Sequence, residues 1–358
     1  METEYENKTI LITVLNWGLG HATRCIPIIK KLHNHNFTTI IASDGQALLL
    51  LKKEFPYILC LQLPTTAVEY PKKGKYFKLK LVQNLPKIAF SIYEENKIIS
   101  KWVKKYELAG ILSDNRMGCY STKIPSVYLT HQVSVLTGNT TWISTRLHQY
   151  FIKKFSACWV PDVAIEPNLS GILSHSAPTD DLKLVYIGPV SRLHPIKTEK
   201  KYDLMILLSG PEPQRGLLEQ HLIKELNTYI GKVVFVKGTI EKTQTEEHLG
   251  NITYYNFMKT RQLEQFMQES EIVLCRSGYT TIMDLVKLNK KAFFIPTPGQ
   301  YEQIYLAEKF EKEGLVPYSN QENFKIDDLK RVKDYSGLSN RNDETNWTDI
   351  LKIFDKKQ

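Results

Sequence analysis

Residues 275–307 read CRSGYTTIMDLVKLNKKAFFIPTPGQYEQIYLA and gather side chains suited to a nucleotide joined to a sugar. An apolar strand runs into Ser277-Gly278, and a helix then opens with Tyr279, Thr280 and Thr281. The first-turn amides of a helix, with the positive end of its dipole, form a natural seat for a diphosphate. Asp284 follows seven residues after Ser277, two turns down the same helix. A carboxylate there can accept hydrogen bonds from ribose hydroxyls; a surface aspartate is the alternative. Glu302 and Gln303 follow the loop PTPGQY and offer acceptors and donors for vicinal sugar hydroxyls. An unremarkable Glu-Gln pair at a helix start is the alternative.

A second chemical group lies near the chain start, in NWGLGHATR (16–24). Gly18 and Gly20 allow a tight turn and close approach of a ligand. His21 then stands at a helix entrance, where the dipole should lower its pKa and favour the neutral imidazole that a general base needs. A histidine that only caps or packs the turn is the alternative. Asp114, in Asp114-Asn115-Arg116 after strand 108–113, can orient His21 or cap the next segment. Farther on, DLMILLSGPEPQR (203–215) places Ser209 and Gly210 at a strand end. The following helix could offer amides to a phosphate, and Arg215 could add charge or be a solvated helix residue. Pro211 and Pro213 remove two backbone donors from that loop.

These residues need strands to position them. Short apolar stretches at 9–15, 37–42, 57–63, 108–113, 126–130 and 157–160 read as buried parallel strands, with helices between them such as 23–33 and 78–105. The pattern restarts after the polar segment 191–203, with strands at 203–208, 232–237, 251–255, 271–275 and 291–295. The fold class expected is α/β, two doubly wound Rossmann-like domains facing a central cleft, 1–190 and 191–358. A tail helix near 344–355 is expected to cross back onto the first domain.

Composition sets the class. The chain has 358 residues, 42% hydrophobic and 24% charged, as an ordinary globular protein has. No apolar run reaches transmembrane length, and METEYENKTI lacks a signal-peptide core. Five scattered cysteines argue for a reducing compartment and against a structural zinc site. Residues 68–105 hold ten lysines and three glutamates, interleaved with Tyr70, Tyr76, Phe77, Phe90, Tyr93 and Trp102. A solvated helical face and a surface for an anionic membrane or phosphate-bearing lipid both fit. No nucleic-acid module is recognisable.

The segment 271–316 resembles the C-terminal domain of the MurG-type glycosyltransferases, family 28 of the GT-B superfamily. The resemblance rests on CRSG, the acid seven positions after the serine, and Glu302-Gln303 before Tyr305-Leu306-Ala307. It extends more weakly to the glycine turn with histidine at 18–21, to YIGPVSR at 186–192 and to Thr130-His131-Gln132. It implies UDP-sugar binding in the second domain and acceptor binding in the first, with UDP-sugar as co-substrate and no other cofactor. Tyr279, Thr280 and Thr281 would then contact the diphosphate, with Ser277 and Gly278 also on the donor-binding turn, Asp284 would hold the ribose, where the family carries Glu, and Glu302 and Gln303 the sugar. Met258 would read the uracil through its backbone, and Arg192 and Ser209 would lie near the phosphates. His21 matches the base. Gly18, Gly20 and His131 fall on the acceptor side, although a packed or capping role suits His131 equally.

The departures are specific. SGPEPQR replaces a glycine-richer loop, WGLGHATR replaces a double-glycine turn, and Pro27 comes six positions after His21 rather than three. They point away from the peptidoglycan acceptor of MurG itself. The expected activity is inverting, metal-independent transfer of a hexose, such as GlcNAc, from a UDP-sugar to a glycan or lipid-linked acceptor. No Asp-x-Asp is well placed for a metal, and Asp180-Asp181 precedes a strand. The Gly-Leu-Gly-His turn also resembles UDP-sugar hydrolases of nonulosonic acid biosynthesis. UDP-sugar 2-epimerases and a non-catalytic UDP-sugar sensor are further readings. The expected place is cytoplasmic, peripheral on the inner membrane face.

Overall fold

The computed structural model describes residues 8–65, 77–175, 179, 181–239, 241–339 and 345–355, with side chains in the helix starting at Phe77 described from residue 87 onward. The chain start, residues 68–76 with Tyr70 and Tyr76, the Phe77 side chain, Asp180 and residue 344 lie outside the described residues. The chain divides into two compact units, Met1–Val190 with Asp343–Gln358, and Ser191–Asn342.

The first unit is built on β1 (Thr9–Val14), β2 (Thr38–Ser43), β3 (Cys60–Gln62), β4 (Leu108–Asp114), β5 (Ser126–Leu129), β6 (Ala157–Val160) and β7 (Leu184–Tyr186). Their order is β3-β2-β1-β4-β5-β6-β7, and every pairing is parallel. Strand β1 reads TILITV and is buried from Ile10 onward, as a central strand covered on both faces should be. The helices are α1 (Leu19–Asn34), α2 (Gly45–Glu54), α3 (Phe77–Lys105), α4 (Thr141–Ile152) and α5 (Ile172–His175). The strand order reverses between β1 and β4. Doubly wound sheets bind ligands at the carboxyl ends of the strands flanking such a point.

The second unit contains β8 (Tyr202–Leu207), β9 (Val233–Val236), β10 (Glu246–Leu249), β11 (Ile252–Tyr255), β12 (Ser270–Cys275) and β13 (Lys291–Phe294), in the order β10-β11-β9-β8-β12-β13. All pairings are parallel except the edge hairpin β10-β11. Its helices are α6 (Gln214–Glu225), α7 (Thr260–Glu269), α8 (Tyr279–Lys287) and α9 (Tyr301–Lys312). Leu204, Ile206, Phe235, Leu274, Phe293 and Phe324 share one core. Each such side chain contributes roughly 1.5–3 kcal/mol on burial. The reversal here lies between β8 and β12.

The edge strand β7 (LVY) is apolar but only three residues long, and β10 (EEHL) is exposed and charged, so hydrophobic patterning gives neither a defined span. A short helix, Trp347–Leu351, continued by a tighter turn over Lys352–Asp355, belongs to the first unit. Trp347 and Phe354 pack edge-on against buried Trp159 at 6.2 and 5.8 Å between ring centres. Gly110 in β4 makes room: a Cβ there would meet the Phe354 ring at 2.3 Å. No helix among the described residues is long and apolar enough to cross a membrane.

Candidate active site

The first unit gathers its chemistry at the ends of β1, β4 and β5. Gly18 caps α1 with φ of +75°, a conformation glycine adopts freely, and an added Cβ would meet no atom within 4 Å. Helix α1 starts at Leu19, so Gly20 is helical and does not shape the turn, contrary to the expectation for that glycine. His21 therefore sits inside the first turn, with its side chain 15% exposed. Pro27 lies inside the same helix, half-buried, rather than at an end.

His21 Nδ1 lies 3.1 Å from Oδ2 of Asp114, the last residue of β4, whose carboxylate is fully buried. Arg24, one turn after His21, donates to both Asp114 oxygens and reaches His21 Nδ1 at 3.0 Å and His131 Nδ1 at 2.9 Å. A guanidinium can only donate, so His131 Nδ1 accepts and its proton resides on Nε2. Burial would raise the Asp114 carboxyl, but Arg24 and His21 outweigh it and hold the group below its usual range. Burial lowers the His21 imidazole, Asp114 opposes that, and Arg24 reinforces it; the result lies below the ordinary value. The lowered pKa thus comes first from desolvation, with the charged neighbours next, rather than from the helix end expected from sequence. Two tautomers meet this geometry: in the one whose Nδ1–H donates to ionised Asp114, Nε2 of His21 is the free basic atom and Arg24 keeps only its bonds to the carboxylate; in the other, Nδ1 accepts from Arg24.

Behind this cluster a second buried ion network fixes the loops. Arg116 bonds Glu95 Oε1 at 2.9 Å, Asp44 Oδ1 at 2.8 Å and the Pro64 carbonyl at 2.7 Å. Asn16 joins it through Asp44 at 3.3 Å and accepts from the Ala47 amide at 3.2 Å. On the other side, α4 holds the loop that carries His131: Val135 N donates to Thr145 Oγ1 at 3.1 Å, and Tyr128 OH meets His148 Nε2 at 3.1 Å.

In the second unit, three loops converge after the adjacent strands β8, β12 and β13. Gly278 caps α8 with no side-chain cap of its own, and a Cβ there would meet no atom within 4 Å. The first turn that follows is Tyr279, Thr280 and Thr281. Tyr279 is buried, at 2% exposure. Ser277 is also fully buried, and its hydroxyl donates to the Gln303 carbonyl at 2.7 Å. Its role is to tie the α8 turn to α9, not to face a donor, which corrects the expectation for its side chain. Gln303 Oε1 in turn accepts from Thr297 N at 2.8 Å, and Glu302 lies in the first turn of α9.

The α6 loop departs from expectation. Ser209 and Gly210 are exposed after β8, but Glu212 occupies the start of α6, accepting from Gly216 N at 3.2 Å. Arg215 pairs with Glu212 and with Glu219 Oε2 at 2.6 Å. A carboxylate already complements that helix end, whereas the start of α8 has no side-chain cap.

Asp284 is buried and accepts from Ser191 Oγ at 2.5 Å. Burial pushes its carboxyl up to about 6, against the pull of Arg192 and the Ser191 bond. Arg192 Nη1 donates to Thr260 Oγ1 at 3.1 Å. Met258 is half-buried on the loop after β11, which Asn256 pins by accepting from Thr245 N and Phe257 N at 2.9 Å each. Among the described residues no three His, Cys, Asp or Glu side chains are grouped to hold a metal ion.

Sequence reasoning missed Arg24, Ser191, Asn256 and Arg276. Arg24 left a signal, three residues after His21 on the same helical face, and Arg276 and Ser191 lie inside the CRSG and YIGPVSR segments. Arg276 is buried, donates to the carbonyls of Ile295, Pro296 and Gln214 at 3.0, 3.1 and 3.0 Å and to Gln321 Oε1 at 2.7 Å. Desolvation lowers its pKa to about 10.

Residues 213–346 match the glycosyltransferase family 28 C-terminal domain. The chain is 23% identical, over 94% of its length and 95% of the relative's, to a UDP-N-acetylglucosamine--N-acetylmuramyl-(pentapeptide) pyrophosphoryl-undecaprenol N-acetylglucosamine transferase of Clostridium tetani. Among solved structures, the spinosyn rhamnosyltransferase SpnG matches with a TM-score of 0.61 at 13% identity, covering 97% of this chain and 95% of that one. MurG of Acinetobacter baumannii matches at 0.52 and 12%, covering 91% and 89%. These neighbours carry the GT-B fold, two parallel-sheet α/β domains, and the present chain shares it.

Proposed function

We propose that the chain, which matches the family 28 C-terminal domain and shares the GT-B fold, is a glycosyltransferase that transfers a hexose from a UDP-sugar to a hydroxyl of a glycan or lipid-linked acceptor, with inversion and without a metal. The observation that carries this reading is the His21–Asp114 pair, which leaves one basic nitrogen on a mostly buried imidazole. The acceptor oxygen gives its proton to His21 Nε2 as it bonds to C1 of the sugar. The C1–O bond to the diphosphate breaks, and the electron pair leaves with UDP. Asp114 stabilises the imidazolium that forms, and the α8 amides stabilise the charge developing on the diphosphate. Asp284 would hold the ribose, Glu302 and Gln303 the sugar, Met258 the base, and Arg192, Ser209, Thr280 and Thr281 the neighbourhood of the phosphates.

The choice of UDP rests on the name of the Clostridium relative and on the resemblance of the α8 segment. The departures at 16–24 and 209–215 favour an acceptor other than the peptidoglycan precursor.

Two helical faces support peripheral contact with an anionic membrane on its cytoplasmic side. On α3, exposed Phe90 and Tyr93 accompany Lys87, Lys97 and Lys101. On α4, Trp142 (70% exposed), Ile143, Leu147 and Tyr150 share a face with Arg146. Aromatic and basic side chains together suit a lipid interface.

A donor panel of UDP-, GDP- and TDP-sugars, with and without acceptor, tests the reading. Nucleotide release that requires acceptor and prefers UDP-sugars is the expected result. Acceptor-independent release with free sugar as product would make the protein a hydrolase. Interconversion of epimers would make it an epimerase, and binding without turnover a sensor.

A further inference from the structure

Thr297 is the first residue after Pro296 in the loop that follows β13. Its side chain is 2% exposed, yet Oγ1 has no hydrogen-bond partner. A buried hydroxyl without a partner loses its bonds to water and gains none in return, so its retention needs a reason. Unpartnered hydroxyls occur elsewhere, as at Ser91 in α3, so location is what distinguishes Thr297.

That location is the convergence of the three loops after β8, β12 and β13. Thr297 N donates to Gln303 Oε1 at 2.8 Å, and Arg276 holds the carbonyls of Ile295 and Pro296 just before it. The backbone around Thr297 is therefore fixed from both sides. Its hydroxyl faces Gly210: a Cβ built on that glycine has one neighbour within 4 Å, Thr297 Oγ1 at 3.9 Å. Gly210 has φ of +107°, and Gly278 across the convergence is equally open to an approaching ligand. Arg276 is buried without a carboxylate partner among the described residues, which leaves positive potential at this edge of the sheet.

We propose that Thr297 Oγ1 is a hydrogen-bond donor to the β-phosphate of a nucleoside diphosphate-sugar, reached past Gly210 and beside the α8 N-terminus. This rests on the nucleotide-sugar reading above. It assigns to the 296–300 loop a phosphate contact, in addition to the sugar contacts proposed for Glu302 and Gln303. The unpartnered hydroxyl is then a ligand group held ready, with the apo protein carrying the penalty.

Calorimetric titration of wild type, Thr297→Val and Thr297→Ser with UDP, TDP, GDP and UMP tests it, alongside thermal unfolding of the ligand-free proteins. Thr297→Val keeps the shape and removes the hydroxyl. UDP affinity should fall about tenfold in Thr297→Val, as expected for one hydrogen bond to a charged group, and recover in Thr297→Ser. UMP, which lacks the β-phosphate, should bind all three alike. The melting temperature of Thr297→Val should match or exceed that of wild type. UDP binding unchanged in Thr297→Val overturns the assignment while leaving the donor reading intact. Equal losses for UDP and UMP with a lowered melting temperature overturn it in favour of a packing role. Wild type that binds none of the nucleoside diphosphates overturns the donor reading and this assignment together.

Discussion

His21 Nδ1 and Asp114 Oδ2 lie 3.1 Å apart although 93 positions separate them in the chain. One belongs to the first turn of α1 and the other ends β4, and the pairing of Val14 with Asp114 brings those two elements side by side. Arg24 shares the same carboxylate and so competes with the imidazole for its charge. The balance holds the His21 pKa below its ordinary value, which favours the neutral imidazole.

Replacing His21 with Ala should lower transfer by about 10²–10⁴-fold while UDP affinity stays within twofold, measured by turnover and calorimetry. The acid limb of kcat/KM should fall below pH 6.5, because the folded imidazole pKa is lowered. Arg24→Met should move that limb upward by leaving Asp114 to His21 alone. Turnover unchanged in His21→Ala would remove the residue from the mechanism.

Asp284→Asn offers a stability test with a definite sign. The folded carboxyl is raised from 3.8 to about 6, so its ionisation opposes folding as pH rises through that window. The isosteric amide should therefore stabilise the ligand-free protein at pH 8, by at most roughly 3 kcal/mol. The gain should vanish near pH 4, where the wild-type carboxyl is protonated. Denaturant melts at the two pH values measure it. Donor affinity should fall at pH 8, since the amide replaces one of the two carboxylate acceptors with an NH2 donor. A gain independent of pH would dissociate it from the carboxyl's ionisation.

Gly278→Ala places a methyl in front of α8 without straining the backbone, whose φ is −74° with ψ 137°. Unfolding free energy should change by no more than about 1 kcal/mol. UDP affinity should fall about tenfold by steric exclusion of the diphosphate, a loss of one decade in the binding constant. Undiminished affinity would move the anion seat away from this turn.

The tail test is structural. Phe354 fills the space that Gly110 leaves on β4 and touches Trp159 and Phe37. Phe354→Ala should destabilise the first unit by about 3–5 kcal/mol. Hydrogen exchange should report the loss in β4 and β6 and spare β8 and β12. Uniform loosening of both sheets would contradict a role confined to the first unit.

The sequence by itself determined the alternation of strands and helices, the two consecutive α/β series and the turn that opens α8. Those features depend on hydrophobic periodicity and on glycine and proline placement, which act over a few residues. Tertiary structure alone decided which charges meet. It made Arg24 the partner of Asp114, placed the Glu212 carboxylate at the α6 start, and committed the Ser277 hydroxyl to Gln303. It also buried Asp284 against Ser191 and left Thr297 Oγ1 unbonded. Hydrogen bonds and ion pairs are satisfied by whatever lies within about 3 Å once the strands are in register, and no local pattern specifies that neighbour.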